Sequence, residues 1–165
     1  MKLYSLAPQD CSGKVRWMLH ELGVQFEEIR LNHKNGDHKT PEYHKMNPIG
    51  QVPVLDDAGL ILFESYAIVH YLADKYSAKG LAPEVTNFKA RTAYTQWMFF
   101  CTDTAEDFFA RYQRLPKMSE EYKKQWGDYI QDKTQKVMLT LEKQFDGHEY
   151  LLGSFSAVDT CTPSV

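Results

Sequence analysis

The sequence predicts an α/β domain followed by an all-helical domain. The first 77 residues alternate short β-prone runs with helical patterns, whereas residues 85–165 contain two long helical patterns. Between them, residues 78–84 are small and flexible, which is typical of a linker. We therefore expect one domain at 1–77 and a second at 85–165.

The first domain opens with a strand, a turn and a helix. Residues 2–5 form a short β-prone run that ends at a turn signal over residues 8–10. A helical pattern follows and stops at Gly23, so that the pair Cys11–Ser12 is predicted to lie at the N-terminus of the first helix. The apolar positions of that helix are Val15, Met18, Leu19 and Leu22.

The same domain continues with three strands and a second helix. Residues 24–31 alternate as a strand, and residues 52–55 and 60–63 are two further β-prone runs joined by a glycine-containing turn at 56–59. The pair Glu64–Ser65 then opens a helix. This order, βαβ followed by ββα, is that of a thioredoxin-like domain.

The first of three residue pairs with site chemistry is Cys11–Ser12. A thiol at a helix N-terminus meets unpaired N–H groups and the positive end of the dipole, which favour a thiolate. A hydroxyl there can instead donate a hydrogen bond to a ligand's thiolate. Asp10 opposes ionisation of the thiol, because a nearby negative charge disfavours a second one. The alternative is a small buried cysteine followed by a helix-capping serine.

The other two pairs are Val52–Pro53 and Glu64–Ser65. A cis bond before Pro53 would turn the backbone N–H and C=O of Val52 towards an extended peptide, whereas a trans bond would leave an ordinary edge strand. Ser65 and the helix N–H groups suit a carboxylate, and Glu64 suits an amine; a simple helix cap is the alternative. A ligand with an amine, a carboxylate and a thiol along an extended backbone would satisfy all three pairs.

Residues 1–77 resemble the N-terminal domain of the cytosolic glutathione transferases. The stretch from Gly36 to Leu55 is similar to the phi- and theta-type pattern, and the stretch from Leu62 to Leu72 contains the family's Glu-Ser-x-Ala-Ile segment. The resemblance implies a set of glutathione-binding residues: His38 and Gln51 at the glycine carboxylate, Val52 and a cis Pro53 at the cysteinyl backbone, and Glu64 and Ser65 at the γ-glutamyl end.

The resemblance leaves two candidates for the catalytic residue. The turn that contains Cys11 most resembles the bacterial beta type, in which the cysteine contacts the glutathione sulfur. The phi and theta types use a serine in this turn, which favours Ser12. The zeta type also has Cys-Ser here, but it has two serines where this chain has Gln9 and Asp10.

The second domain resembles the family's all-helical C-terminal domain. Its first helix is predicted over about residues 85–115 and its second is capped by Ser119. The resemblance implies that Phe108, Phe109 and Tyr112 line a pocket for an apolar co-substrate, with plain core packing as the alternative. It also implies that Asp103 reaches the glutathione amine of a partner subunit, with a solvated helix face as the alternative.

The last residues predict a helix that the sequence then interrupts. Ser156 and Asp159 match the capping box Ser-x-x-Asp, which announces a helix. Pro163 disfavours a continuing helix. We therefore expect an incomplete helical domain, short relative to the family, whose apolar face is either uncovered or covered by another chain.

Composition narrows the functional class. With a net charge of −3, 43% hydrophobic and 25% charged residues, the 165-residue chain has globular values and no feature that favours nucleic acid or membrane binding. Three cysteines in different elements, with no metal-binding spacing, predict a cytoplasmic protein without a metal. The resemblance to the glutathione transferases implies a homodimeric detoxification enzyme that binds glutathione and uses its thiolate for conjugation or for thiol–disulfide exchange. The alternative is a non-catalytic binding or scaffold module of the same family.

Overall fold

The computed structural model describes residues 1–6 and 10–162, and it divides the chain into two compact units. Unit 1 comprises Met1–Ala82 and unit 2 comprises Pro83–Val165. The residues 78–84 that the sequence predicts as a linker are thus divided between the units, and Ser77–Lys79 forms a 3₁₀ turn. The predicted turn at Pro8 and Gln9, and Pro163 with its predicted effect on the last helix, lie outside the described residues.

Unit 1 is a mixed four-stranded sheet with helices, and its order confirms the predicted thioredoxin-like fold. Its principal elements are β1 (Lys2–Ser5), α1 (Ser12–Leu22), β2 (Glu27–Arg30), α2 (Pro41–Met46), β3 (Val54–Asp57), β4 (Leu60–Phe63) and α3 (Ser65–Lys75). The strand order is β2-β1-β3-β4, with β1 parallel to β2 and antiparallel to β3, and with β3 antiparallel to β4.

Two strands of unit 1 differ from the sequence prediction. The strand predicted over residues 24–31 is limited to the four residues of β2, because only these pair with the four residues of β1. The strand predicted to begin at Val52 begins at Val54, since Pro53 has no N–H to donate to a ladder. Ala58 and Gly59, both with positive φ, form the two-residue turn between β3 and β4.

The core of unit 1 lies where α1 and α3 pack together beside the sheet. The apolar positions that predicted α1 (Val15, Met18, Leu19 and Leu22) are all buried, and Gly23 ends the helix in a left-handed conformation. From α3, Ile68 and Leu72 are also buried. The core thereby fixes the N-termini of both helices, where the predicted site residues lie.

Unit 2 consists of helices that differ from the sequence prediction in two respects. Its elements are α4 (Phe88–Phe99), a π-helical segment (Phe100–Ala105), α5 (Glu106–Arg114) and α6 (Glu120–Phe145). The helix predicted over about 85–115 begins later, because Asn87 caps it by accepting a hydrogen bond from the N–H of Ala90 (3.2 Å), and its middle is π-helical. Ser119 caps α6 as predicted and accepts from the N–H of Tyr122 at 3.2 Å.

The segment after α6 is held by the predicted capping aspartate. The carboxylate of Asp159 accepts hydrogen bonds from the backbone N–H of Ser156 (2.8 Å) and of Leu151 (2.9 Å). The hydroxyl of Ser156 donates to the same carboxylate (3.1 Å) and does not cap a helix N–H. Within the described residues a 3₁₀ turn, Asp159–Cys161, stands where the sequence predicts a helix.

Candidate functional site

At the N-terminus of α1 the thiol of Cys11 is exposed and the hydroxyl of Ser12 is buried. Cys11 immediately precedes the helix, as predicted, and its side chain is exposed, which excludes the alternative of a small buried cysteine. Ser12 is the first helical residue and is fully buried. Its Oγ atom has no hydrogen-bond partner among the described residues. The two candidates for the catalytic position therefore differ: Cys11 is accessible and Ser12 is not.

Asp10, and not Ser12, caps α1. One carboxylate oxygen of Asp10 accepts from the N–H of Ser12 at 2.8 Å, and the other accepts from the N–H of Leu6 at 2.7 Å. Its backbone carbonyl accepts from the N–H of Gly13 at 2.9 Å. Sequence reasoning identified the charge of Asp10 but missed these bonds, although aspartate is among the preferred residues for capping a helix.

A pocket of about 730 Å³ opens beside this helix end within unit 1. Its walls bring together four residues of the predicted site, Cys11, His38, Gln51 and Val52. Lys39 is also in the wall and contributes a positive charge. The pocket therefore combines a thiol, a cation and peptide-backbone groups, a set that suits an anionic thiol peptide.

The wall that contains Gln51 is held by two buried side chains. The backbone carbonyl of Gln51 accepts hydrogen bonds from the hydroxyl of Tyr43 (2.9 Å) and from the amide of Asn47 (2.8 Å). Burial raises the pKa of Tyr43 far above its ordinary value, so its hydroxyl remains a donor. The Val52–Pro53 bond that follows is cis, as predicted. Sequence reasoning missed Tyr43 and Asn47; the Asn-Pro pair at residue 47 was the available turn signal.

His38 is a buried imidazole in the same pocket. It is only 6% exposed, and its ring stacks on that of His33 with centroids 4.8 Å apart. The pKa of His38 is lowered, first by burial and then by electrostatic interactions with His33 and Lys39. His38 is therefore neutral at neutral pH, and its Nδ1 atom has no partner among the described residues.

Glu64 and Ser65 lie at the start of α3, as predicted, but neither is in the wall of the pocket around Cys11. Glu64 is exposed and has a φ of +72°, a conformation that costs a residue with a side chain of the order of 1–3 kcal/mol. Its side chain makes no capping hydrogen bond, so the helix-cap alternative is wrong for Glu64. Ser65 is buried.

In unit 2 the three predicted co-substrate residues do not share one pocket. Phe109 and Tyr112 line a cavity of about 520 Å³ with residues of α6. Phe108 lines a separate depression next to Tyr129. Asp103 lies in the π-helical segment and is exposed.

Two other kinds of site are absent from the part of the chain that the structure describes. Across residues 1–6 and 10–162, no helix combines the length and apolar character that a membrane crossing requires. Within the same ranges, no three His, Cys, Asp or Glu side chains are arranged to hold a metal ion.

A thioredoxin-like domain with a peptide-sized pocket at the N-terminus of its first helix is typical of proteins that bind a thiol ligand. Comparisons with known proteins identify the family. Residues 1–74 match the family model for the glutathione S-transferase N-terminal domain. Over 80 residues the chain is 44% identical to glutathione S-transferase F13 of Arabidopsis thaliana, covering 48% of this chain and 36% of the relative. It is 39% identical over 90 residues to a zeta-class enzyme of Euphorbia esula, covering 54% and 40% respectively.

Solved structures extend the similarity to both units. A glutathione transferase of Burkholderia graminis, solved with two glutathione molecules per subunit, matches 98% of this chain and 69% of its own with a TM-score of 0.84 and 31% identity. One of Phanerochaete chrysosporium, in complex with oxidised glutathione, matches 97% of this chain and 74% of its own with a TM-score of 0.83 and 28% identity. The chain belongs to the glutathione S-transferase family. Its matches to curated relatives such as the two plant proteins span about two fifths of their length.

Proposed function

We propose that unit 1 binds glutathione in the pocket beside α1 and that the protein is a glutathione transferase. The observation that carries this proposal is the joint presence of Cys11, His38, Gln51 and Val52 in one pocket of about 730 Å³. The similarity to a Burkholderia graminis enzyme solved with bound glutathione supports it. The bound thiolate would attack an electrophile in conjugation, or a disulfide in thiol exchange.

Each part of glutathione finds a chemical counterpart in unit 1. Lys39 and the neutral imidazole of His38 suit the glycine carboxylate, with the side chain of Gln51 beside them. The backbone of Val52, fixed next to the anchored Gln51 carbonyl, would pair with the cysteinyl backbone. Ser65 and the N–H groups at the N-terminus of α3 would bind the γ-glutamyl carboxylate, and Glu64 would bind the amine beside it.

Unit 2 and the oligomeric state have proposed roles as well. The cavity around Phe109 and Tyr112 would hold the apolar part of the second substrate. We further propose a cytoplasmic homodimer, in which Asp103 would reach the glutathione amine of the partner subunit. Residues 1–77 would then be the glutathione-binding domain and residues 85–165 the co-substrate domain.

The substitution Ser65→Ala tests the binding site. It removes a hydrogen bond to a charged group, so we expect isothermal titration calorimetry to show glutathione binding weakened by about 1–3 kcal/mol. The matched control is Ser119→Ala, which removes a helix cap in unit 2 and leaves glutathione affinity unchanged. Unchanged affinity for Ser65→Ala would reduce Ser65 to a structural role. Binding of glutathione without turnover of any aryl halide or disulfide would favour the non-catalytic module.

A further inference from the structure

Asp10 places a carboxylate where the helix would otherwise stabilise a thiolate. Its two oxygens accept the N–H groups of Ser12 (2.8 Å) and Leu6 (2.7 Å), so the first N–H of α1 is already bound to an anion. An anionic sulfur on the adjacent Cys11 would need those N–H groups and the positive end of the helix dipole. Asp10 therefore competes for the groups that activate a helix-terminal cysteine and repels the charge that would form there.

Both residues face the same cavity. Asp10 and Cys11 are in the wall of the pocket of about 730 Å³, and the Cys11 side chain is exposed there. The other titratable or charged groups in the pocket wall are basic side chains. From the segment after β2 and from α2 they are His33, His38, Lys39 and His44, and Lys14 on α1 lies over the ring of Tyr66 on α3. His38 is neutral at neutral pH, since its pKa is lowered, so it adds no positive charge next to the thiol.

We propose that Asp10 is a selectivity residue that keeps Cys11 as a thiol at neutral pH and so disfavours disulfide exchange by the protein's own cysteine. The consequence for catalysis rests on the proposed glutathione function: the reacting sulfur would be that of the bound glutathione and not that of Cys11. In the disfavoured reaction, the Cys11 thiolate attacks one sulfur of oxidised glutathione. A new S–S bond forms, the old one breaks, and one glutathione leaves as thiolate with the electron pair and is protonated by solvent.

Asp10→Asn tests the proposal because asparagine keeps one acceptor oxygen and removes the charge. The measurement is the rate of Cys11 alkylation by iodoacetamide as a function of pH, followed by mass spectrometry of the Cys11 peptide. We expect the midpoint of the pH profile to fall by about one unit, and the rate at pH 7 to rise by up to about tenfold. The mixed disulfide with oxidised glutathione should also form faster.

Three variants separate charge from structure. Asp56→Asn removes a carboxylate that accepts the N–H of Gly59 (2.8 Å) in the β3–β4 turn of the same unit, and it should leave the Cys11 profile unchanged. Asp10→Glu keeps the charge and should restore a high midpoint. Asp10→Ser is neutral and retains a capping oxygen, so it replaces Asp10→Asn if that variant does not fold.

This test of Asp10 is independent of the proposal that the pocket binds glutathione, because alkylation by iodoacetamide requires no glutathione binding. A midpoint that stays the same or rises in folded Asp10→Asn or Asp10→Ser protein would overturn the role of Asp10 and leave it as a helix cap only. A lowered midpoint in a protein that does not bind glutathione would support the role of Asp10 and would refute the proposed function alone.

Discussion

At the scale of single residues, the pocket depends on a close approach that only glycine permits. Gly50 has a φ of +68°, and a Cβ atom there would lie 2.9 Å from the carbonyl oxygen of His38 and 3.0 Å from the ring of His44. Gly50 thus lets the wall that carries Gln51 pack directly on the backbone of His38. The position of His38 in the pocket follows from this contact.

Gly50→Ala should therefore damage the pocket as well as the fold. The new Cβ must displace the backbone of His38, and the left-handed conformation itself costs a further 1–2 kcal/mol or so. We expect a lower free energy of unfolding in urea and weaker binding of glutathione by calorimetry.

Gly36→Ala is the matched control for this prediction. Gly36 has a similar φ of +74°, but nothing lies within 4 Å of the position of its added Cβ. The control should lose stability through backbone strain alone and retain glutathione affinity. Equal effects of the two substitutions on affinity would show that contact with His38 does not shape the site.

Which site residues are predictable from sequence depends on how local their signals are. The positions of Cys11 just before α1 and of Ser65 at the start of α3 were predicted because the start of each helical pattern is visible in neighbouring residues. The anchoring of the Gln51 carbonyl by Tyr43 and Asn47 was missed because it requires a folded α2 to face the segment after it.

At the scale of elements, a charged network joins three parts of unit 1. The carboxylate of Glu28 in β2 accepts hydrogen bonds from Arg16 in α1 and from the hydroxyl of Ser5 in β1 (2.8 Å). The hydrogen bond from Arg16 is the main reason that the pKa of Glu28 is lowered, and Ser5 lowers it further. The network holds α1 against the two strands whose ends lead to the pocket.

Glu28→Gln should reduce stability in a pH-dependent way. Because the folded-state pKa of Glu28 is lowered, its contribution is present above the unfolded value of about 4.3 and is lost as pH falls through the lower, folded value. We expect the variant to be less stable by roughly 1–3 kcal/mol near pH 7 in urea unfolding, and the difference from the parent to shrink below about pH 4.

The exposed pair Arg111–Asp107 in α5 provides the comparison. Its partners are about half exposed and lie four residues apart, so Asp107→Asn should change stability far less than Glu28→Gln does near pH 7. A pH-independent loss for Glu28→Gln would indicate that its shape, and not its charge, stabilises unit 1.

At the scale of the whole molecule, both units expose large apolar side chains. In unit 1 they include Ile49 and Phe63, and in unit 2 they include Phe99, Trp126 and Leu139. A contiguous patch of exposed apolar side chains is typical of a surface that binds a partner. The predicted partner is a second copy of the chain, paired with two-fold symmetry.

Sedimentation velocity tests the predicted dimer directly. We expect a species with the mass of two 19.2 kDa chains at micromolar concentration, converting to single chains on dilution. A mass of one chain at every concentration would contradict the homodimer and remove the proposed role of Asp103 at a partner's ligand.

The sequence-level account of the fold was most accurate where patterns are long or bounded by strong signals. α6 was predicted with its cap because it is a long periodic segment that begins at Ser119. The π-helical segment inside the first long helix was missed because the apolar periodicity runs through it unbroken. The 3₁₀ turn at Asp159–Cys161 lies where the capping box announces a helix that the sequence then interrupts, because a capping box signals a start and not a length.

The central claim is that glutathione binds in the pocket beside α1, and an amide NMR titration with reduced glutathione tests it most directly. We predict saturable shift changes concentrated at Cys11, His38, Gln51, Val52 and Ser65 of unit 1, with far smaller changes along α6. Saturable changes confined to other surfaces, or none at millimolar glutathione in a folded sample, would contradict the claim.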